Sequence, residues 1–452
     1  MNFIIPQVEE KREVKFFKMV KKLIFQRQMC IIRKKEEGAR RMQNGNRRCR
    51  TGKGWYVGIG LVLLLALTGC QKREDTGNQR TPSPTKAASV TETLTPTTNP
   101  ETVLTPEPTE PAEPDGEQQT EARLAELLAG MSLEEKVGQM FLARCPEDAI
   151  GGITEYAVGG YVLFKRDFEG ETRDSVTEKL KSFQEASDIP LLLAVDEEGG
   201  TVVRVSAFRA FRDAPFASPQ KVFSEGGFAA LAEDAREKAE LLLSLGISVN
   251  LAPVCDVSEQ KSAYMYERSF GRNAEETSEY VKTVVAAMKE AGLGCALKHF
   301  PGYGNNADTH TGIVYDSRSY ETYTESDFKP FLAGIEAGAG AVLVSHNIVQ
   351  CMDADMPASI SEKVHRVLRE ELEFDGVVIT DDLYMDAIAE FTGEEAAAVA
   401  AVLAGNDMLC CTNFTVQLPA VLAAVKDGRI SVEQIDAAVL RILRWKAELG
   451  LL

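Results

Sequence analysis

Two short segments of this chain carry side chains able to make and break bonds. The first runs Lys298-His-Phe-Pro-Gly-Tyr-Gly-Asn-Asn-Ala-Asp308-Thr-His310-Thr-Gly312 and holds two of the chain's four histidines. The apolar run Cys295–His299 leads into it, so Lys298 and His299 sit where a strand ends. Pro301, Gly302, Gly304 and Gly312 make the rest a loop. Asp308 and His310 lie two apart on that loop. A carboxylate beside an imidazole selects its tautomer and raises its basicity, which suits a general acid/base. The second segment, Gly376-Val-Val-Ile-Thr-Asp381-Asp382-Leu-Tyr-Met385, runs a buried strand straight into two aspartates. A carboxylate on a strand end is well placed as a nucleophile, and Asp381 is the better candidate. Asp382 suits the N-cap of the next helix.

Elements able to position these groups recur along the chain. Continuous apolar runs predict strands at Gln139–Ala143, Gly160–Phe164, Pro190–Asp196, Ser248–Pro253, Cys295–His299, Ala341–His346, Val377–Asp381 and Asp407–Thr412. Runs of this kind, rather than alternating ones, are expected for parallel strands buried on both faces. Ser132-Leu-Glu-Glu135 is a capping-box pattern. Helical patterns follow most strands, among them Phe228–Leu245, Ala274–Gly292, Ser361–Leu372, Glu394–Ala404 and Ser431–Leu449. Eight strand-then-helix units predict an α/β fold, a single (β/α)8 TIM-type barrel. A doubly wound sheet is the alternative, but no GxGxxG turn follows the first strand. Asp196, Asp256, Lys298, His299, His346 and Asp381 fall at or just past strand C-termini, which in a barrel converge on one mouth.

These stretches resemble glycoside hydrolase family three, in its β-N-acetylhexosaminidase branch. The pieces occur in the family's order: Met131-Ser-Leu-Glu-Glu-Lys-Val-Gly-Gln139, Val195-Asp196-Glu-Glu-Gly-Gly200 with Arg204, Asn250-Leu-Ala-Pro-Val-Cys-Asp256, Arg268-Ser-Phe-Gly271, Lys298-His299 and Thr380-Asp381. The resemblance covers about residues 125–450. It implies that Asp381 is the nucleophile of a retaining double displacement and attacks without help from the substrate's acetamide. It implies that His310, polarised by Asp308, is the acid/base. It also implies that Asp196, Arg204, Arg268, Lys298 and His299 hold the sugar's hydroxyls and N-acetyl group. Retaining glycosidases generally pair two carboxylates. A histidine, with an ordinary pKa of about 6.5, avoids a second negative charge beside the glycosyl-enzyme. Two features depart from the family pattern: Tyr303 stands where many members have His, and Gly304 to Asp308 is one residue shorter.

Charge and composition set the compartment. Residues 1–69 hold 16 Lys+Arg against 5 Asp+Glu, whereas the remainder holds 34 against 63. So acidic a body argues against nucleic-acid binding. A basic start at Arg47, Arg48, Arg50 and Lys53 precedes the apolar stretch Val57–Leu67, as in a secretory signal. Leu67-Thr68-Gly69-Cys70 resembles a lipobox, which makes Cys70 the expected lipid-attachment site. Residues 1–41 fit no targeting pattern, and Met42 is an alternative start. Residues 70–120 read as a lipid-anchored Thr/Pro-rich tether, with 8 of the chain's 18 prolines and 12 threonines in residues 71–120. Residues 121–452 are the expected catalytic barrel.

The expected activity is removal of terminal N-acetylglucosamine from peptidoglycan fragments by an extracytoplasmic, membrane-anchored lipoprotein. Substrate class follows from the resemblance and the envelope location. A β-glucosidase or β-xylosidase, an N-acetylglucosamine phosphorylase and a non-catalytic sugar-binding lipoprotein are the alternatives. A monomer is expected, with no metal or cofactor. Most of the six cysteines from Cys145 to Cys411 sit in apolar runs and are expected to be buried free thiols.

Overall fold

The first described turn shows why the chain folds where its pattern says. The computed structural model describes residues 116–309, 312–389 and 391–452. The signal region, residues 70–115 of the expected tether with Cys70, and His310 lie outside the described residues; residues 116–120, expected to belong to the tether, are instead helical. Ser132 caps the helix Leu133–Gln139 through a reciprocal box: the Glu135 N–H donates to Ser132 Oγ at 3.2 Å, and the Ser132 N–H donates to Glu135 Oε2 at 2.7 Å. An earlier helix, Gly116–Gly130, precedes it. Glu121, the expected domain start, lies inside that helix and pairs with Arg444 at 2.7 Å.

Eight parallel strands follow: β1 (Phe141–Arg144), β2 (Gly160–Leu163), β3 (Leu192–Val195), β4 (Val249–Asn250), β5 (Gly294–Phe300), β6 (Ala341–Val344), β7 (Val377–Thr380) and β8 (Leu409–Cys411). They are hydrogen-bonded in the order β8-β1-β2-β3-β4-β5-β6-β7. A parallel bridge between Ile379 and Met408 joins the two ends into a barrel. The strands are buried almost throughout, because helices cover the outside and side chains fill the inside. All eight expected strands are present with shifted bounds, and β5 is longer than expected, at Gly294–Phe300. At the first, Gln139 ends a helix instead of opening a strand.

Register matters most in β5. Its pairing with β6 shifts between Lys298 and Phe300. Regular alternation would send Lys298 and His299 to opposite faces of the strand. The irregularity lets these consecutive side chains both join the cluster at the mouth. Beyond the barrel, Tyr315–Asp316 pairs with Ile348–Val349 in a small parallel ribbon.

The C-terminal helix Val432–Glu448 closes the fold. Ile435, Val439 and Ile442 are buried, as their spacing predicts. It docks so closely that a Cβ on Gly340 would lie 2.1 Å from Trp445 Nε1. Lys446 is also fully buried, and its ammonium donates to Gln139 Oε1 at 2.6 Å. Burial lowers its pKa to about 7. The unfolded side chain titrates near 10.4, so between about pH 7 and 10.4 the unfolded chain holds more protons. Stability therefore rises with pH in that window, by up to about 1.4 kcal/mol per unit from this group. Lys446→Met should remove that slope. Urea denaturation from about pH 7 to 9 checks it, and parallel curves for the two proteins would contradict it.

Candidate active site

The mouth of the barrel is built around a buried ionic cradle. Asp196 follows β3 directly, and its Oδ1 accepts from Lys298 Nζ at 2.6 Å. Glu198, two residues on, meets the same ammonium at 2.7 Å. Arg268 grips Glu198 with two bonds, Nε to Oε2 at 3.0 Å and Nη2 to Oε1 at 2.7 Å. Its Nη2 also lies 3.2 Å from His299 Nε2. His299 Nδ1 is 2.8 Å from Asp256 Oδ2. Arg204 Nη2 stands 3.7 Å from Asp196 Oδ2. The structure thus brings together all five expected sugar-holding residues, Asp196, Arg204, Arg268, Lys298 and His299.

The cradle's charges sustain one another. Burial pushes the Glu198 carboxyl up, but Lys298 and Arg268 overcome this and hold it well below the usual carboxylate range. Burial pushes the Lys298 ammonium down, and Asp196 and Glu198 outweigh it, so its pKa is raised. Burial likewise opposes the Arg268 charge, yet Glu198 raises it further. A buried charge without such partners would be neutralised or would destabilise the fold. The result is a preformed, rigid set of donors and acceptors suited to a polyhydroxylated ligand.

The two aspartates after β7 are not equivalent. Asp382 Oδ1 accepts from the N–H groups of Tyr384 at 3.0 Å and Thr412 at 3.1 Å. Its Oδ2 accepts from the Thr412 hydroxyl at 2.6 Å. Both oxygens are therefore committed to joining the loops after β7 and β8, instead of to the helix N-cap that the sequence suggests. Asp381 is partly exposed at the strand end, and its Oδ1 accepts the Asp382 N–H at 3.0 Å. His346, though on the rim, turns into the protein: its Nδ1 lies 2.7 Å from Ser359 Oγ and its Nε2 3.0 Å from the Asp382 carbonyl. It supports the Asp382 loop.

The loop after β5 is held at its root. The Tyr303 N–H donates to Asp256 Oδ1 at 2.8 Å, and the Tyr303 hydroxyl is hydrogen-bonded to Thr309 Oγ1. Burial, and with it the neighbouring Asp308 carboxylate, raises the pKa of the Tyr264 phenol. Tyr264 in turn lies against Tyr303, with ring centroids 6.1 Å apart. Arg318 braces the other side. It donates to both oxygens of Asp327 at 2.9 Å and to the Gly302 carbonyl at 3.0 Å, and its Nη2 lies 2.8 Å from Asp316 Oδ2. Gly302 has φ 122°, and a Cβ there would meet Asp327 Oδ1 at 2.4 Å, so glycine alone fits.

Four contributors escape the sequence reading as site residues: Glu198, Tyr264, Tyr303 and Arg318. Glu198 stands in the run Asp196-Glu197-Glu198, where nothing distinguishes three adjacent acids. Glu197 is equally buried but serves the backbone, accepting from the N–H groups of Arg204 and Val205 at 2.8 Å. Alternation along an extended segment is the one available signal. It places Asp196 and Glu198 on one side and Glu197 on the other. Cysteines play no part in this chemistry. Cys145, Cys255, Cys295 and Cys411 are buried free thiols, Cys410 is half-buried, and Cys351 is exposed.

A (β/α)8 barrel with a charged sugar-holding cradle and a strand-end carboxylate has the form of a glycoside hydrolase. Residues 132–445 match the family model described as the glycosyl hydrolase family 3 N terminal domain, and the chain belongs to that family. It is 36% identical over 260 residues to a beta-hexosaminidase of Xanthomonas oryzae pv. oryzae, covering 56% of this chain and 76% of the relative. A beta-hexosaminidase of Idiomarina loihiensis is also 36% identical, over 262 residues, covering 57% and 77%. Among solved structures, the family 3 β-N-acetylglucosaminidase of Paenibacillus sp. str. FPU-7 superposes with a TM-score of 0.67 at 31% identity. That match covers 71% of this chain and 63% of the other, so this chain spans less than two thirds of the Paenibacillus protein. The β-N-acetylhexosaminidase of Beutenbergia cavernae superposes with a TM-score of 0.63 at 28% identity, covering 71% and 99%.

Proposed function

We propose that the chain is a retaining exo-β-N-acetylglucosaminidase that acts through a covalent glycosyl-aspartate. The observation that carries this reading is the division of labour after β7: Asp382 is committed to anchoring loops, and Asp381 stands at the mouth beside the cradle. The beta-hexosaminidase relatives supply the sugar class. In the first step the Asp381 carboxylate attacks the anomeric carbon while His310 protonates the departing oxygen. In the second, His310 takes a proton from water, which attacks the anomeric carbon and releases Asp381. Asp196, Lys298 and the Arg268–His299 pair would hold the sugar through both steps. Remote binding of that kind is what makes in-line attack frequent.

We also propose that the substrate is a peptidoglycan fragment and that a lipid on Cys70 holds the enzyme outside the cytoplasm. The basic-apolar start, the Leu67–Cys70 quartet and the Thr/Pro-rich stretch support this placement. Two assays test the reading. The purified chain should hydrolyse 4-nitrophenyl β-N-acetylglucosaminide in phosphate-free buffer and leave the β-glucoside and β-xyloside nearly untouched. Sugar binding without turnover would instead favour a binding protein. In cells, Cys70→Ser should abolish incorporation of labelled fatty acid into the protein, and incorporation that persists would refute the anchor.

A further inference from the structure

We propose that Tyr303 is a positioning residue: its hydroxyl latches Thr309, and with it the end of the loop that carries Asp308, to the floor of the sugar site. The inference rests on the glycosidase reading above and deepens it.

Tyr303 touches four parts of the site at once. Its N–H donates to Asp256 Oδ1 at 2.8 Å, and the other oxygen of Asp256 lies 2.8 Å from His299 Nδ1. The Tyr303 ring stands edge-on to the His299 ring at 5.4 Å and tilted against Tyr264 at 6.1 Å. The hydroxyl reaches across the loop to Thr309 Oγ1. Thr309 is fully buried and lies between Asp308 and His310 in sequence. Burial, and after it the negative charge of Asp381, push the Tyr303 phenol well above its ordinary range, so it stays protonated at every working pH. The same coupling places the phenol within electrostatic reach of the nucleophile.

The chemistry explains why such a latch matters. A loop rich in glycine and short polar residues has many conformations, and proton transfer requires one of them. Arg318 braces the loop root through the Gly302 carbonyl at 3.0 Å, and the Asn306 amide donates to Asp316, which Arg318 also holds. These bonds tie the loop to the Arg318 cluster and not to the sugar-holding cradle. The Tyr303–Thr309 bond supplies that second anchor just before His310.

The test separates positioning of a proton donor from general support of the fold. Tyr303→Phe removes only the hydroxyl. For β-N-acetylglucosaminides, kcat/KM reports formation of the glycosyl-enzyme, the step in which proton donation matters most for poor leaving groups. Tyr303→Phe should lower kcat/KM by ~10- to 100-fold for a disaccharide or alkyl glycoside and by less than ~3-fold for the 2,4-dinitrophenyl glycoside. Thr309→Val should reproduce that pattern, and the double variant should lose little more than either alone. Thr309→Ser, which keeps the oxygen, should recover most of the activity. Equal losses across leaving groups, additive losses in the double variant, or no loss at all would overturn the latch. Absence of turnover by the unmodified chain would instead overturn the glycosidase reading, so the two failures are distinguishable.

Discussion

Asp381→Ala should lower kcat/KM for 4-nitrophenyl β-N-acetylglucosaminide by ~10⁴-fold or more while leaving the melting temperature nearly unchanged. The large loss follows from chemistry, because no other group is assigned to form the covalent intermediate. The small effect on stability follows from position. Asp381 is partly exposed at a strand end, so truncating it empties no core space. Asp382→Ala should behave in the opposite way. Its carboxylate accepts three hydrogen bonds, one from Tyr384 within the loop after β7 and two from Thr412 that tie this loop to the one after β8. Losing them should cost ~1–3 kcal/mol of stability and reduce turnover only indirectly. Steady-state rates and thermal melts on the two variants decide the matter. An Asp381→Ala protein keeping a tenth of its activity, or an inactive but fully stable Asp382→Ala protein, would contradict the assignment.

His310→Ala should give the second largest effect, and its signature is selectivity rather than size. A general acid commonly contributes ~10²- to 10⁴-fold, all of it where the leaving group needs a proton. Disaccharide cleavage should therefore fall by that range, and cleavage of the 2,4-dinitrophenyl glycoside by ~10-fold or less in kcat/KM. The rate for poor leaving groups in the unmodified enzyme should decline as pH rises above the imidazole's pKa. That alkaline limb should disappear in His310→Ala. A uniform loss across leaving groups with the limb intact would assign His310 to binding.

Much of this architecture was legible in the sequence because its signals are periodic. Continuous apolar runs mark strands buried on both faces, and β2 and β6 begin at the residues the runs predict. Strand ends carrying Asp196, Lys298, His299 and Asp381 marked the mouth. Two kinds of feature were less visible. Direction was one: His346 occupies the same rim position as the others, yet its ring turns inward to Ser359 and the Asp382 carbonyl. No spacing rule distinguishes a strand-end histidine that lines a pocket from one that braces a loop. Long-range partnership was the other. Glu198 meets Arg268 across 70 residues, and Arg318 gathers Asp316, Asp327 and Gly302 around the loop root. Such pairings depend on how the barrel brings separate loops together, and no local pattern encodes them.

The same contrast bears on the choice between the paired aspartates. In sequence, Asp381 and Asp382 differ only by register at the end of an apolar run. In the structure they differ in what their oxygens touch: both oxygens of Asp382 accept bonds from Tyr384 and Thr412, which favours Asp381 for attack under the proposed mechanism. The decisive measurement is therefore chemical. The purified chain should be inactivated by a 5-fluoro N-acetylglucosaminyl fluoride, digested and mapped by mass spectrometry. The account predicts one added glycosyl group, on the peptide containing Gly376–Met385 and at Asp381. A label on any other side chain, or rapid turnover that never traps a protein-bound sugar and passes through a free oxazoline, would contradict it.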